Sequence, residues 1–167
     1  MGMKEMLLEQ YDYGCWARGR LLHEARQLSH EEFHAESEFG NMGSVYSLLL
    51  HTFATDWLWR NLAEDGELDG PPPDAEAYAA LPAIEAGWQQ EEAAFRSFLA
   101  SLDEGELEET VRTVDPAGNP HAFLRWKMVQ HMLIHAMQHR SETAAVLTSL
   151  GRSPGNLDYL FFIIERG

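Results

Sequence analysis

His131, His135 and His139 recur at four-residue steps inside the apolar stretch from Trp126 to His139. An α-helix turns about 100° per residue, so a four-residue step rotates a side chain by only about 40°. The three imidazoles therefore share one narrow helix face. Side chains at i and i+4 have Cβ atoms roughly 6 Å apart, and two imidazoles bridge that separation to one metal through bonds of about 2.1 Å. His51 lies in a second apolar stretch, Ser47-Leu-Leu-Leu-His51-Thr-Phe-Ala. Two histidines from one helix and a third from elsewhere make a facial site with open positions, the layout of a catalytic or labile metal. Zinc and nickel both accept such ligands. The chemistry open to three neutral imidazoles is Lewis-acid chemistry: a metal lowers the pKa of a bound water or thiol and presents it as a nucleophile.

Spacing leaves the choice between His131 with His135 and His135 with His139 open. It excludes several rivals. His135-Ala-Met-Gln-His139 lacks the glutamate of a HExxH metalloprotease. A ferritin-type di-iron site needs Glu-x-x-His motifs on two long helices, and only Glu31-Glu-Phe-His34 matches, outside the long helical patterns. No glycine-rich phosphate loop and no Gly-x-Ser-x-Gly elbow is present. His23, His30, His34 and His121 read as ordinary hydrogen-bonded histidines. Thr52, Thr55 and Asp56 follow His51 closely and are candidates to hydrogen-bond a ligand imidazole, or are plain surface groups of its helix. Trp16, Trp57, Trp59, Trp88 and Trp126, with Met128, Met132 and Met137, read as core.

The elements that must position these residues are helices. Residues 3 to 28 carry apolar side chains at three- and four-residue intervals. Ser29 with Glu32 forms a capping box, opening a polar, glycine-bearing stretch from His30 to Gly43. Ser44 caps a second helix over roughly 44–64. Gly66 to Pro73 is a loop that suggests a long crossover, because Asp69-Gly-Pro-Pro-Pro-Asp cannot be helical. A third helix is expected over about 82–102, with Pro82 in its first turn. Residues 108–114 and 121–123, flanking Asp115-Pro-Ala-Gly-Asn, suggest a short β-hairpin. A fourth helix starts near 120–124 and ends at Gly151. The whole chain, 1–167, reads as one all-α domain, a four-helix bundle with an apolar tail from Leu157 to Ile164.

Composition agrees. At 167 residues and 45% apolar, the chain is long enough for one real core. A net charge of −15, with 12 unclustered basic residues, speaks against nucleic acid. No apolar run approaches the roughly 20 residues of a membrane span, and the N-terminus has no signal-peptide pattern. The single cysteine, Cys15, allows no internal disulfide and fits a reducing cytoplasm.

In Tyr11-Asp-Tyr-Gly-Cys-Trp-Ala-Arg, Ser47-Leu-Leu-Leu-His51 with Trp57-Leu-Trp59, and His131-Met-Leu-Ile-His135-Ala-Met-Gln-His139-Arg140-Ser-Glu, the chain resembles the DinB-like family of metal-dependent enzymes. That family is related to bacillithiol transferases and to the metal-binding domain of mycothiol-dependent maleylpyruvate isomerase. The resemblance implies His51, His135 and His139 as metal ligands, with His131 beside the site. It implies a thiol transferase or hydrolase acting on a small molecule, with a low-molecular-weight thiol as the candidate partner, and a homodimer. The rival function is a non-catalytic metal-binding or stress-linked interaction bundle. The family commonly has Arg-Gly-Gln after the last histidine, whereas Arg140-Ser141-Glu142 stands here. Glu142, three residues beyond His139, either adds a carboxylate to the site or faces solvent; helix propensity favours the solvent-side reading.

Overall fold

A computed structural model describes residues 2–39 and 42–166. Met1, Gly40, Asn41 and Gly167 lie outside the described residues, so two positions of the expected 30–43 loop are not assigned.

The four long helices are α1 (Met3–Ala25), α3 (Val45–Asp65), α4 (Leu81–Ser101) and α6 (Arg125–Ser149). Between them lie the short helices α2 (His30–His34) and α5 (Glu104–Leu107) and the strands β1 (Thr110–Val114) and β2 (Pro120–Leu124). A last helix, α7 (Tyr159–Arg166), closes the chain. The strands pair antiparallel, Thr110 with Leu124 and Val114 with Pro120, around the turn expected at Asp115 to Asn119. The fourth long helix therefore begins only after Leu124, because residues 120–124 are strand.

Local sequence explains most boundaries. The Ser44 hydroxyl accepts the Ser47 N–H and caps α3. The Ser29 and Glu32 capping box is present in full and starts α2, which ends α1 three residues earlier than the apolar pattern suggested. Gly66 ends α3 at φ +79, and a Cβ there would lie 2.2 Å from the Arg112 carbonyl oxygen. Only glycine fits that left-handed stop.

The long helices pack in the ring order α1, α6, α3, α4. The Gly66–Ala80 segment thus joins neighbours. The diagonals are crossed by the α1–α3 link, which carries α2, and by the α4–α6 link, which carries the hairpin.

The interior is layered. One apolar cluster gathers Leu7, Tyr11, Phe95, Leu99, Met128 and Val129. The other gathers Leu21, Leu48, Phe53, Ile84, Trp88 and Leu147. Between them each long helix contributes a buried polar group: Arg18 from α1, Asp56 from α3, Glu91 from α4, and His139 with Thr143 from α6. The Trp88 indole N–H donates to Asp56 Oδ2 at 3.1 Å. Arg18 pairs with Glu92 at 2.9 Å, and Arg60 grips Glu91 at 2.5 Å. Burying charges in this way is costly unless they are compensated, which is why the four helices meet through opposite signs. Burial raises the Asp56 carboxyl above its usual range, with Arg18 the chief opposing influence.

Met128, Met132 and Trp88 are core, as expected. Met137 is not: it is 47% exposed, on the far side of α6.

Candidate metal centre

His51 on α3 and His135 and His139 on α6 converge at the edge of the polar layer. One ring nitrogen from each lies within 4.8 Å of the others. The ring centroids are 4.5 Å apart for His135 and His139, 4.7 Å for His51 and His139, and 5.3 Å for His51 and His135. Among the described residues this is the group of three whose geometry suits a metal ion. The two Nε2 atoms of His135 and His139 face one another at 3.2 Å.

Glu142 decides what that contact means. Its Oε2 lies 2.8 Å from His139 Nδ1. A carboxylate accepts only, so Nδ1 carries the proton and Nε2 presents its lone pair to His135. Without an ion, that lone pair accepts an Nε2–H from His135; a cation that displaces this proton takes both nitrogens. With bonds of about 2.1 Å, donors 3.2 Å apart subtend about 100° at such an ion, close to the angles that zinc and octahedral metals adopt. The donor set therefore fits a divalent transition metal.

The surroundings of His135 and His51 favour the neutral form that ligation needs. Burial, then the proximity of His139 and His51, pushes His135 down to about 4. Burial, then His139, also lowers His51. His135 Nδ1 is buried with no hydrogen-bond partner among the described residues.

The other expected site residues fall differently. His131 is exposed, its ring 4.4 Å from Trp59 and 5.8 Å from His135. It stands beside the converging group, not in it. The Thr55 hydroxyl donates to the His51 carbonyl oxygen at 2.7 Å, and Thr52 donates to Leu48 in the same fashion. Asp56 turns inward to Trp88. None of the three reaches an imidazole. Glu142, expected on the solvent side, is instead the carboxylate that orients His139, and it is only 18% exposed as a side chain. Helix propensity misled here; the three-residue spacing from His139 was the better signal, because i and i+3 are neighbours on a helix.

Two further groups also bear on the site. Arg140 follows His139 directly and crosses α1 at Gly14, where a Cβ would lie 3.0 Å from the guanidinium. Burial depresses the Arg140 guanidinium below its ordinary range and Asp56 opposes this. Trp59 packs against His131. A glycine inside a helix, costing about 1 kcal/mol against alanine, was the available sign that something passes close to α1.

A search among curated proteins finds no match. The DinB family model matches residues 3–166. That match takes in all four long helices and the whole histidine cluster, and the chain belongs to the DinB family.

Proposed function

We propose that His51, His135 and His139 bind a divalent transition metal, zinc or nickel, and that the protein is a metal-dependent enzyme. The observation carrying this is the convergence of three imidazoles within 4.8 Å, one of them oriented by Glu142. When bound, such a metal supplies Lewis acidity that lowers the pKa of a water or thiol. The chain's own residues orient it: Glu142 fixes the His139 ring, and burial keeps His135 and His51 unprotonated at neutral pH. Exposed His131 and the Trp59 ring flank the cluster and offer a polar and an aromatic surface to an incoming small molecule. The reaction class is transfer to or from a low-molecular-weight thiol, or hydrolysis. The test is elemental analysis of untagged protein, followed by a screen with thiol cosubstrates and hydrolytic substrates. One equivalent of metal with thiol-dependent turnover supports the reading. Protein that takes up no zinc or nickel overturns it, and metal without turnover leaves a binding bundle.

The same reading places the protein in the cytoplasm as a homodimer. No helix among the described residues is long and apolar enough to cross a membrane. The tail folds back on α1 through Phe162, which is 4% exposed and packs on Tyr13 and Trp16. Its opposite face still leaves Leu160, Phe161, Ile163 and Ile164 exposed, an apolar patch of the kind that marks an interface. Light scattering tests this; a mass of 19.0 kDa without concentration dependence rejects the dimer.

A further inference from the structure

A groove of about 360 Å3 runs between α1, α6 and α7. That volume lies within the range of small-molecule sites, roughly 300–1,000 Å3. Leu133 and Met137, which line it, each stand two residues from His135, so they sit about 200° around α6 from that ligand candidate. The groove is therefore separate from the histidine cluster.

Its walls are apolar: Leu133, Ile134, Met137 and the rings of Tyr13 and Tyr159. Its one charged lining residue is Arg140. The guanidinium rests on the Tyr13 ring, 5.9 Å from its centroid, and is pinned where Gly14 leaves room. Among the described residues no carboxylate lies within ion-pair distance of Arg140. The comparison with the interior is telling, because Arg18 has Glu92, and Arg60 has both Glu64 and Glu91. Asp56 acts on Arg140 only at longer range and serves Arg18 as well.

The remaining polar groups are nearly all committed. The Tyr13 hydroxyl donates to the Leu157 carbonyl oxygen, and the Tyr159 hydroxyl donates to Glu9. Gln130 Nε2 donates to Gln10 Oε1 at 3.0 Å, which leaves the Gln10 amide N–H groups available as donors among the described residues. An apolar trough with one cation that no carboxylate contacts and one spare amide donor matches an anion on an apolar body.

We propose that this groove binds a small monocarboxylic acid, its carboxylate on Arg140 and Gln10 and its apolar body against Leu133, Ile134 and Met137. The chain carries a net charge of −15, so long-range attraction does not draw an anion to it. Recognition has to come from the local cation. The proposal does not depend on metal binding.

The experiment titrates the full chain with octanoate, 1-octanol and octylammonium, read by calorimetry and by NMR shifts of the Ile134 and Met137 methyl groups. The expected result is saturable octanoate binding, roughly tenfold or more tighter than octanol, the size of a charge-assisted contact, with octylammonium weakest. Arg140→Met should reduce octanoate to the octanol level. Gln10→Glu should also lose the preference, by placing a like charge beside the carboxylate, and it decides the matter if the Arg140 variant fails to fold. Met137→Glu should abolish binding of both ligands. Metal content, measured on each variant, reports the histidine cluster separately. Equal affinity for octanoate and octanol, no binding at millimolar concentration, or an unchanged preference in the Arg140 or Gln10 variant overturns the proposal.

Discussion

Two His-x-x-x-His pairs on different helices invite comparison: His30 with His34 on α2, and His135 with His139 on α6. Their ring centroids are the same 4.5 Å apart. Only the second pair belongs to a converging group of three among the described residues. His30 and His34 sit on a five-residue helix, and His34 stacks on Phe33 and Tyr46. The His34 Nε2 atom is buried without a hydrogen-bond partner among the described residues. His135 and His139 sit within a 25-residue helix whose neighbour α3 delivers His51, and Glu142 orients the inner ring. Spacing sets the reach of a pair. Whether a pair becomes a site depends on a third donor from a neighbouring helix and on a carboxylate behind one ring.

The largest effect expected is on the layer that holds the second pair in place. Asp56→Ala removes the buried carboxyl that accepts from Trp88 and leaves that indole N–H unpaired, which should destabilise the fold by about 3 kcal/mol, the upper end for an orphaned buried donor. Chemical denaturation checks this, and a loss under 1 kcal/mol would mean that the layer does not hold the helices. Replacing His51 with alanine should lower zinc affinity by more than about 100-fold, beyond the 10–100-fold usual for groups behind a ligand. His34→Ala should leave the metal stoichiometry unchanged. If His34→Ala costs metal and His51→Ala does not, the comparison is reversed.

Glu142→Ala should weaken zinc by about 10–100-fold, and Glu142→Gln by less, because the amide oxygen still accepts from His139 Nδ1. Isothermal titration distinguishes the two; identical affinities in both variants and the parent would remove Glu142 from the site. Acid stability of the metal-free protein separates the pairs by degree. The folded His135 pKa of about 4 lies below the ordinary 6.5. The unfolded chain then binds more protons than the folded one between those values, so stability falls as pH drops from about 6.5 towards 4. His135→Asn should flatten that slope, and His34→Asn, whose pKa is also lowered by burial, should flatten it less. An unaltered slope in His135→Asn would show that the acid sensitivity arises elsewhere. The smallest change belongs to His131→Ala, expected to shift zinc affinity only a few-fold, since its exposed ring packs on Trp59 outside the converging group.

The histidine row, the four long helices, the Ser44 and Ser29 caps and the hairpin turn were all legible in the chain, because each depends on contacts within a few residues. The role of Glu142 was half legible: i and i+3 neighbours meet on a helix, but nothing local says whether they face a partner or water. The tertiary structure alone decided the rest. It brought His135 and His139 to His51 and set His131 against Trp59, because α3 runs along α6 and each turn of one helix meets a different turn of the other. It turned Asp56 inward to Trp88, which lies 32 residues away in the chain. It also carried the diagonal crossings through α2 and the hairpin, not through the proline-rich loop. A side chain's period along one helix fixes its face, but the identity of whatever that face meets is set by packing between segments far apart in sequence, and no local pattern encodes it.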